Sequence, residues 1–220
     1  MAGPWNKAFW VSFHKVAIEE THNANIFYNT ACEISYFYDR VNTKLMTTAS
    51  PATLLRQFNG TISQWIDYLD EYTLDMLLRQ PHPDSWSLGQ VYMHIIRDTA
   101  WFVVQMETSL LYDANSEEEM HENTKAIFRN NGFPDRQLEN PANAGMLQSQ
   151  SKAALLQELA AIREKVNRLY TAFDFSTSTG KTEHPGFRFF NAMEWLQFAE
   201  MHLRHHGRQK QRIDDVLFTR

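Results

Sequence analysis

Four stretches of this chain carry apolar residues at three-and-four spacing, each several helical turns long and bounded by residues that start or stop a helix. A helix with that period has one dry face and one wet face, so the chain can bury its apolar rows only by stacking helix on helix. The first stretch opens at Ser50-Pro51, an N-cap with a first-turn proline, continues through Leu54, Phe58, Ile62, Trp65, Ile66 and Leu69, and stops before Pro81. The second opens at Ser87-Leu88-Gly89-Gln90, where the serine and glutamine satisfy free backbone donors reciprocally, and runs to about Tyr112. The third, from Leu147 to about Phe173, keeps Leu155, Leu159, Ile162, Val166 and Leu169 in register, and the fourth runs from about Asn191 to Leu217. Between the second and third, Ser116 to Glu119 reads as another capping box that opens a short polar helix with Ile127 and Phe128, closed by Asn131-Gly132-Phe133-Pro134. Ser176 to Gly186 reads as a loop punctuated by glycine and proline. The predicted fold is all-α: a four-helix bundle with a crossover insertion.

The opening of the chain differs from the rest. No leucine occurs from Met1 to Lys44, whereas nineteen occur from Leu45 onward. Residues 1–45 therefore read as an N-terminal extension of a domain spanning 46–220, and Met46 would be an ordinary start for that domain. Trp5, Phe9, Trp10, Phe13, Ile18, Ile26 and Phe27 can make a helical stripe there, which is not the composition of a disordered tail. A formal net charge of −5 leaves no basic footprint for nucleic acid or an anionic membrane. No run approaches the roughly 18 apolar residues of a membrane span, and Cys32 is the only cysteine, so no intrachain disulfide forms. These features predict a reducing, cytoplasmic setting.

Chemistry concentrates in the fourth stretch. His202 and His206 lie about 40° apart on a helical wheel, so both imidazoles can face one point. Trp195, Ala199, Ile213 and Leu217 share that side, Glu200, Arg204 and Arg208 lie opposite, and His205 sits toward the rim. Two inward histidines one turn apart repel when charged, a conflict that a shared divalent cation relieves; alternatively one binds a backbone carbonyl and the other meets water. In the second stretch His94 lies on the stripe of Val91, Asp98 and Trp101 and offers a third ligand from a facing helix. Three histidines with open positions are a catalytic rather than structural pattern. Asp98, one turn on, either orients an imidazole or is exposed, and Gln209 touches a ligand or solvent. His184, before the fourth helix, is a candidate for the mouth of the site. His14, His22, His82 and His121 have no evident partner, and Glu117-Glu118-Glu119 suits a solvated helix start. Dinucleotide, P-loop, serine-hydrolase and CxxC signatures are absent.

Trp86-Ser87-Leu88-Gly89-Gln90-Val91-Tyr92-Met93-His94, then Phe133-Pro134, His184-Pro185, Glu194-Trp195-Leu196 and His202-x3-His206-x2-Gln209 resemble the DinB-like superfamily of metal-binding four-helix bundles. The resemblance spans about Thr48 to Arg220; the family pattern does not require the N-terminal stretch. It implies that His94, His202 and His206 bind a divalent metal cation, nickel, zinc or iron, and that the protein is a homodimer. Some members of that superfamily are thiol S-transferases using bacillithiol or mycothiol, and others are described as metal-dependent hydrolases. Two enzymatic readings follow. A small-molecule substrate, such as a low-molecular-weight thiol, would need a basic residue at the mouth, with Arg97 and Arg204 as options; a hydrolase would need a general base, with Asp98 or His184 as candidates. The non-catalytic alternative is a metal- or ligand-binding bundle with a stress-response or sequestration role.

Overall fold

The computed structural model describes residues 49–134, 146–149 and 151–218; the expected extension at 1–45 lies outside the described residues. In chain order the elements are α1 (Pro51–Tyr68), a 3-10 turn (Leu69–Glu71), α2 (Leu74–Leu78), α3 (Leu88–Leu111), α4 (Glu122–Arg129), α5 (Lys152–Ala172), β1 (Lys181–His184), β2 (Arg188–Asn191) and α6 (Ala192–Leu217). Among the described residues the architecture is all-α apart from one two-stranded hairpin.

Cross-helix bonds give the helix directions. Thr61 donates to Glu200 at 2.9 Å, Trp65 Nε1 to the Leu203 carbonyl at 3.1 Å, and the Tyr72 hydroxyl to Asp214 at 2.8 Å, so α1 and α6 advance together. Asn59 and Asn167 exchange amide hydrogen bonds at 2.9 and 3.0 Å while Arg163 donates to Ser63, which sets α5 against α1. Trp101 packs on Trp195 and His94 on His206, so α3 runs against α6. The order is thus up, down, down, up. The parallel pair α3 and α5 needs a long crossover, which carries α4 and returns where Gln90 Nε2 donates to the Met146 carbonyl at 2.7 Å. Phe58, Ile62, Trp65, Tyr92, Ile95, Phe102, Leu159, Trp195 and Phe198 fill the interior between the four long helices.

Several boundaries move from those expected. The first helix ends at Tyr68, not near Pro81, because Tyr72 is extended and its hydroxyl reaches Asp214, while the Thr73 oxygen takes the Met76 amide and starts α2. Ser116 to Glu119 does not open a helix. His121 Nδ1 accepts the Asn123 amide at 3.2 Å and caps α4, and Met120 bridges to Arg188. Helix α5 starts at Lys152, where the Ser151 oxygen accepts the Ala154 amide at 3.0 Å. The stretch read as a loop contains β1, paired antiparallel with β2 from Lys181↔Asn191 to His184↔Arg188. Proline presets the backbone at Pro185, and the Phe187 amide closes the turn on the His184 carbonyl at 3.2 Å. Capping boxes start α3 at Ser87 and α6 at Asn191, the two helices that carry the histidines.

Candidate metal centre

His94 sits two turns into α3, and His202 and His206 sit one turn apart in the middle of α6. Because the helices run in opposite directions and pack side by side, the three rings meet at their seam. His94 Nε2 lies 3.0 Å from His206 Nε2, and His206 Nε2 lies 3.2 Å from His202 Nε2. Each of these residues is buried, with 5–8% of its surface exposed. Burial is the main force holding the rings neutral: it lowers His94 to about 3, with the Arg97 and His205 charges adding to it. The same cause takes His202 and His206 well below the usual histidine value, and repulsion among the rings adds to it.

Three neutral, converging imidazoles fit a cation better than they fit one another. His206 Nδ1 lies 2.7 Å from Gln209 Oε1, so with the amide oxygen turned to the ring the hydrogen is on Nδ1 and a lone pair points inward from Nε2. Both neighbouring Nε2 atoms crowd that one lone pair, which can accept one in-line hydrogen. A cation can instead take a lone pair from all three. Ligand nitrogens about 2.0–2.1 Å from one ion lie roughly 3–4 Å apart, and the observed 3.0 and 3.2 Å stand at the short end of that range. Among the described residues these three histidines form a group that could hold a metal ion.

The sequence model of the DinB superfamily matches residues 57–209, from within α1 to just past the last histidine of the cluster. The chain belongs to the DinB superfamily. No curated protein and no solved structure matches it.

In this DinB-superfamily chain the other candidates scatter. Asp98 is buried at the seam, not exposed: Oδ1 accepts from Arg97 Nε at 2.9 Å, and Oδ2 lies 3.4 Å from His94 Nδ1 and 4.0 Å from His202 Nε2. Burial pushes its carboxyl up to about 6 against the opposing pull of Arg97. Gln209 touches a histidine of the cluster, as above. Arg97 is at the seam, with Nη2 3.3 Å from His94 Nδ1. Arg204 is not: it bonds Glu200 and the Asn131 carbonyl on the far side of α6. That side carries a groove of about 290 Å³, lined by Thr61, Trp65, Arg204 and Gly207, which does not open on the histidines. His205 packs on Phe133, and its Nδ1 lies 3.0 Å from an Arg208 nitrogen, outside the cluster.

His184 is fully buried at the end of β1, away from any mouth, among Trp101, Phe187, Phe190, Trp195 and Phe198. Its Nδ1 accepts the Gly186 amide at 3.1 Å, and burial lowers it to about 3. Phe102 packs against both His184 and His202. The wall formed by Phe102 and by Trp86, 5.1 Å from the His94 ring, has no counterpart among the sequence candidates. The alternation Phe187-x-Phe189-Phe190 after Pro185-Gly186 was the available signal for the hairpin.

Proposed function

We propose that this DinB-superfamily protein is a divalent-cation-dependent enzyme with His94, His202 and His206 as ligands, acting on a small molecule. The observation that carries the reading is the convergence of three neutral Nε2 atoms, 3.0 and 3.2 Å from one another through His206, at a buried seam. Neutral imidazole is the donor of choice for nickel, zinc and iron. A cation held by three histidines, with positions left open, lowers the pKa of bound water or thiol and so supplies a nucleophile near neutral pH.

The chain's own side chains give the site its remaining properties. Gln209 holds the His206 tautomer that keeps a lone pair inward. Phe102 and Trp86 shield the rings and keep the dielectric low, which favours neutral ligands. Of the two candidate bases, Asp98 faces the cluster and His184 is enclosed by aromatic rings. Arg97, with 43% of its side chain exposed beside the cluster while its Nε donates to Asp98, is the basic candidate placed to meet a carboxylate on the substrate as well.

The full chain purified without added metal should contain close to one nickel, zinc or iron per chain by elemental analysis. It should conjugate a low-molecular-weight thiol to an electrophile, or hydrolyse an ester or amide, and lose that activity with a chelator. Metal-free protein of full thermal stability would overturn the reading. A bound ion without chelator-sensitive turnover would leave a metal-binding bundle and remove the enzyme.

A further inference from the structure

The outer nitrogen of His94 is approached by two groups of opposite chemistry. Arg97 Nη2, 3.3 Å from Nδ1, can only donate, whereas an ionised Asp98 Oδ2, 3.4 Å from the same atom, can only accept. An imidazole Nδ1 bearing hydrogen suits the carboxylate, and one bearing a lone pair suits the guanidinium. It cannot satisfy both at once. The two partners are joined, since Arg97 Nε donates to Asp98 Oδ1 at 2.9 Å. Asp98 is 4% exposed, and its Oδ2 makes no hydrogen bond among the described residues although it points between His94 and His202.

We propose that the Arg97–Asp98 pair selects the tautomer of His94, Asp98 favouring the cation-loaded form and Arg97 the empty one. This rests on the reading of the three histidines as ligands. With a cation on Nε2 the ring hydrogen must be on Nδ1, where Asp98 Oδ2 receives it. Without one, Nε2–H faces the inward lone pair of His206, 3.0 Å away, and Nδ1 accepts from Arg97. The ring keeps one hydrogen throughout: a proton leaves Nε2 and another reaches Nδ1 through water, with no change in net charge. Asp98 and Arg97 are positioning residues, and their removal acts in opposite senses on cation affinity. An ion pair acting through its charges alone would give the same opposite signs but would leave the metal-free His94 tautomer unmoved by loss of Arg97.

The test is competition of the chelator-treated full chain against a chromophoric chelator for Zn²⁺, with ¹⁵N-histidine spectra of the same samples. Asp98→Asn should weaken Zn²⁺ binding about 10–100-fold, the range found when a ligand's outer partner is lost. Arg97→Met should tighten it several-fold. In the spectra, metal-free wild type should show His94 hydrogen on Nε2, and metal-free Arg97→Met should shift it toward Nδ1. Shifts of affinity in the same direction, or none, would overturn the proposal, as would a metal-free tautomer that ignores Arg97→Met. If Asp98→Asn does not fold, the Arg97→Met affinity and spectra decide. If wild type binds no Zn²⁺, the ligand reading falls, and the metal-free spectra alone judge the selector.

Discussion

At the His94 ring, burial and aim coincide: its neutral nitrogen is turned into the α3–α6 seam, where two rings of α6 already converge. Two imidazoles rarely retain a labile ion, so His94→Ala, His202→Ala or His206→Ala should each strip most of the cation. His205→Ala should leave stoichiometry near wild type, because His205 packs on Phe133 outside the cluster. Elemental analysis of the four variants checks this. His184 gives a pH prediction independent of the cation. Its folded pKa of about 3 lies below the ordinary value of 6.5, so below pH 6.5 the unfolded chain takes up a proton that the folded chain refuses. Stability contributed by neutral His184 is thus full above that pH and is lost as pH falls toward 3. The slope from one such group approaches about 1.4 kcal/mol per pH unit. His184→Gln keeps an acceptor for the Gly186 amide but cannot titrate, so denaturant melts between pH 6 and 4 should show a shallower loss than wild type.

Among the elements, helix α6 carries the most: it starts at an Asn191 capping box, packs along both α1 and α3, and holds two of the three histidines. Its Gly207 faces open space, with nothing within 4 Å of an added Cβ. Gly207→Ala should stabilise the protein by about 0.5–1 kcal/mol through helix propensity alone. Gly180, ahead of β1, is the opposite case: a Cβ there would sit 2.0 Å from the Tyr112 carbonyl oxygen and 2.5 Å from that of Ser109. Both obstacles are backbone, so Gly180→Ala should cost several kcal/mol and displace the hairpin that encloses His184. Thermal melts of the two variants should therefore move in opposite directions. The hairpin is held from outside as well, since Trp195 Nε1 donates to Thr182 Oγ1 at 2.7 Å. The Lys181 amide also donates to the Ala114 carbonyl at 2.8 Å and the His121 amide to the Phe187 carbonyl at 3.0 Å. Such tertiary bonds, rather than the short strands by themselves, hold residues 181–191, and local sequence could not announce them.

For the whole molecule, the parallel α3–α5 pair and the crossover between them make contacts within the core long-range in sequence. No helix among the described residues is long and apolar enough to cross a membrane. The 46–220 domain remains a proposal: expressed alone, it should melt cooperatively and bind the same cation as the full chain, and insolubility would make residues 1–45 part of the core. Light scattering of the full chain should give the mass of a dimer, and a monomer at micromolar concentration would remove that expectation. By itself the sequence determined the helical period, the helix starts at Ser50, Ser87 and Asn191, and the shared face of His202 and His206, because these depend on spacing within a turn or two. The break at Tyr68, the hairpin, the burial of Asp98 and His184, and the meeting of His94 with α6 were decided only by tertiary structure. Each depends on which helix lies alongside and in which direction it runs, a choice made by packing of the whole core rather than by any local run of residues.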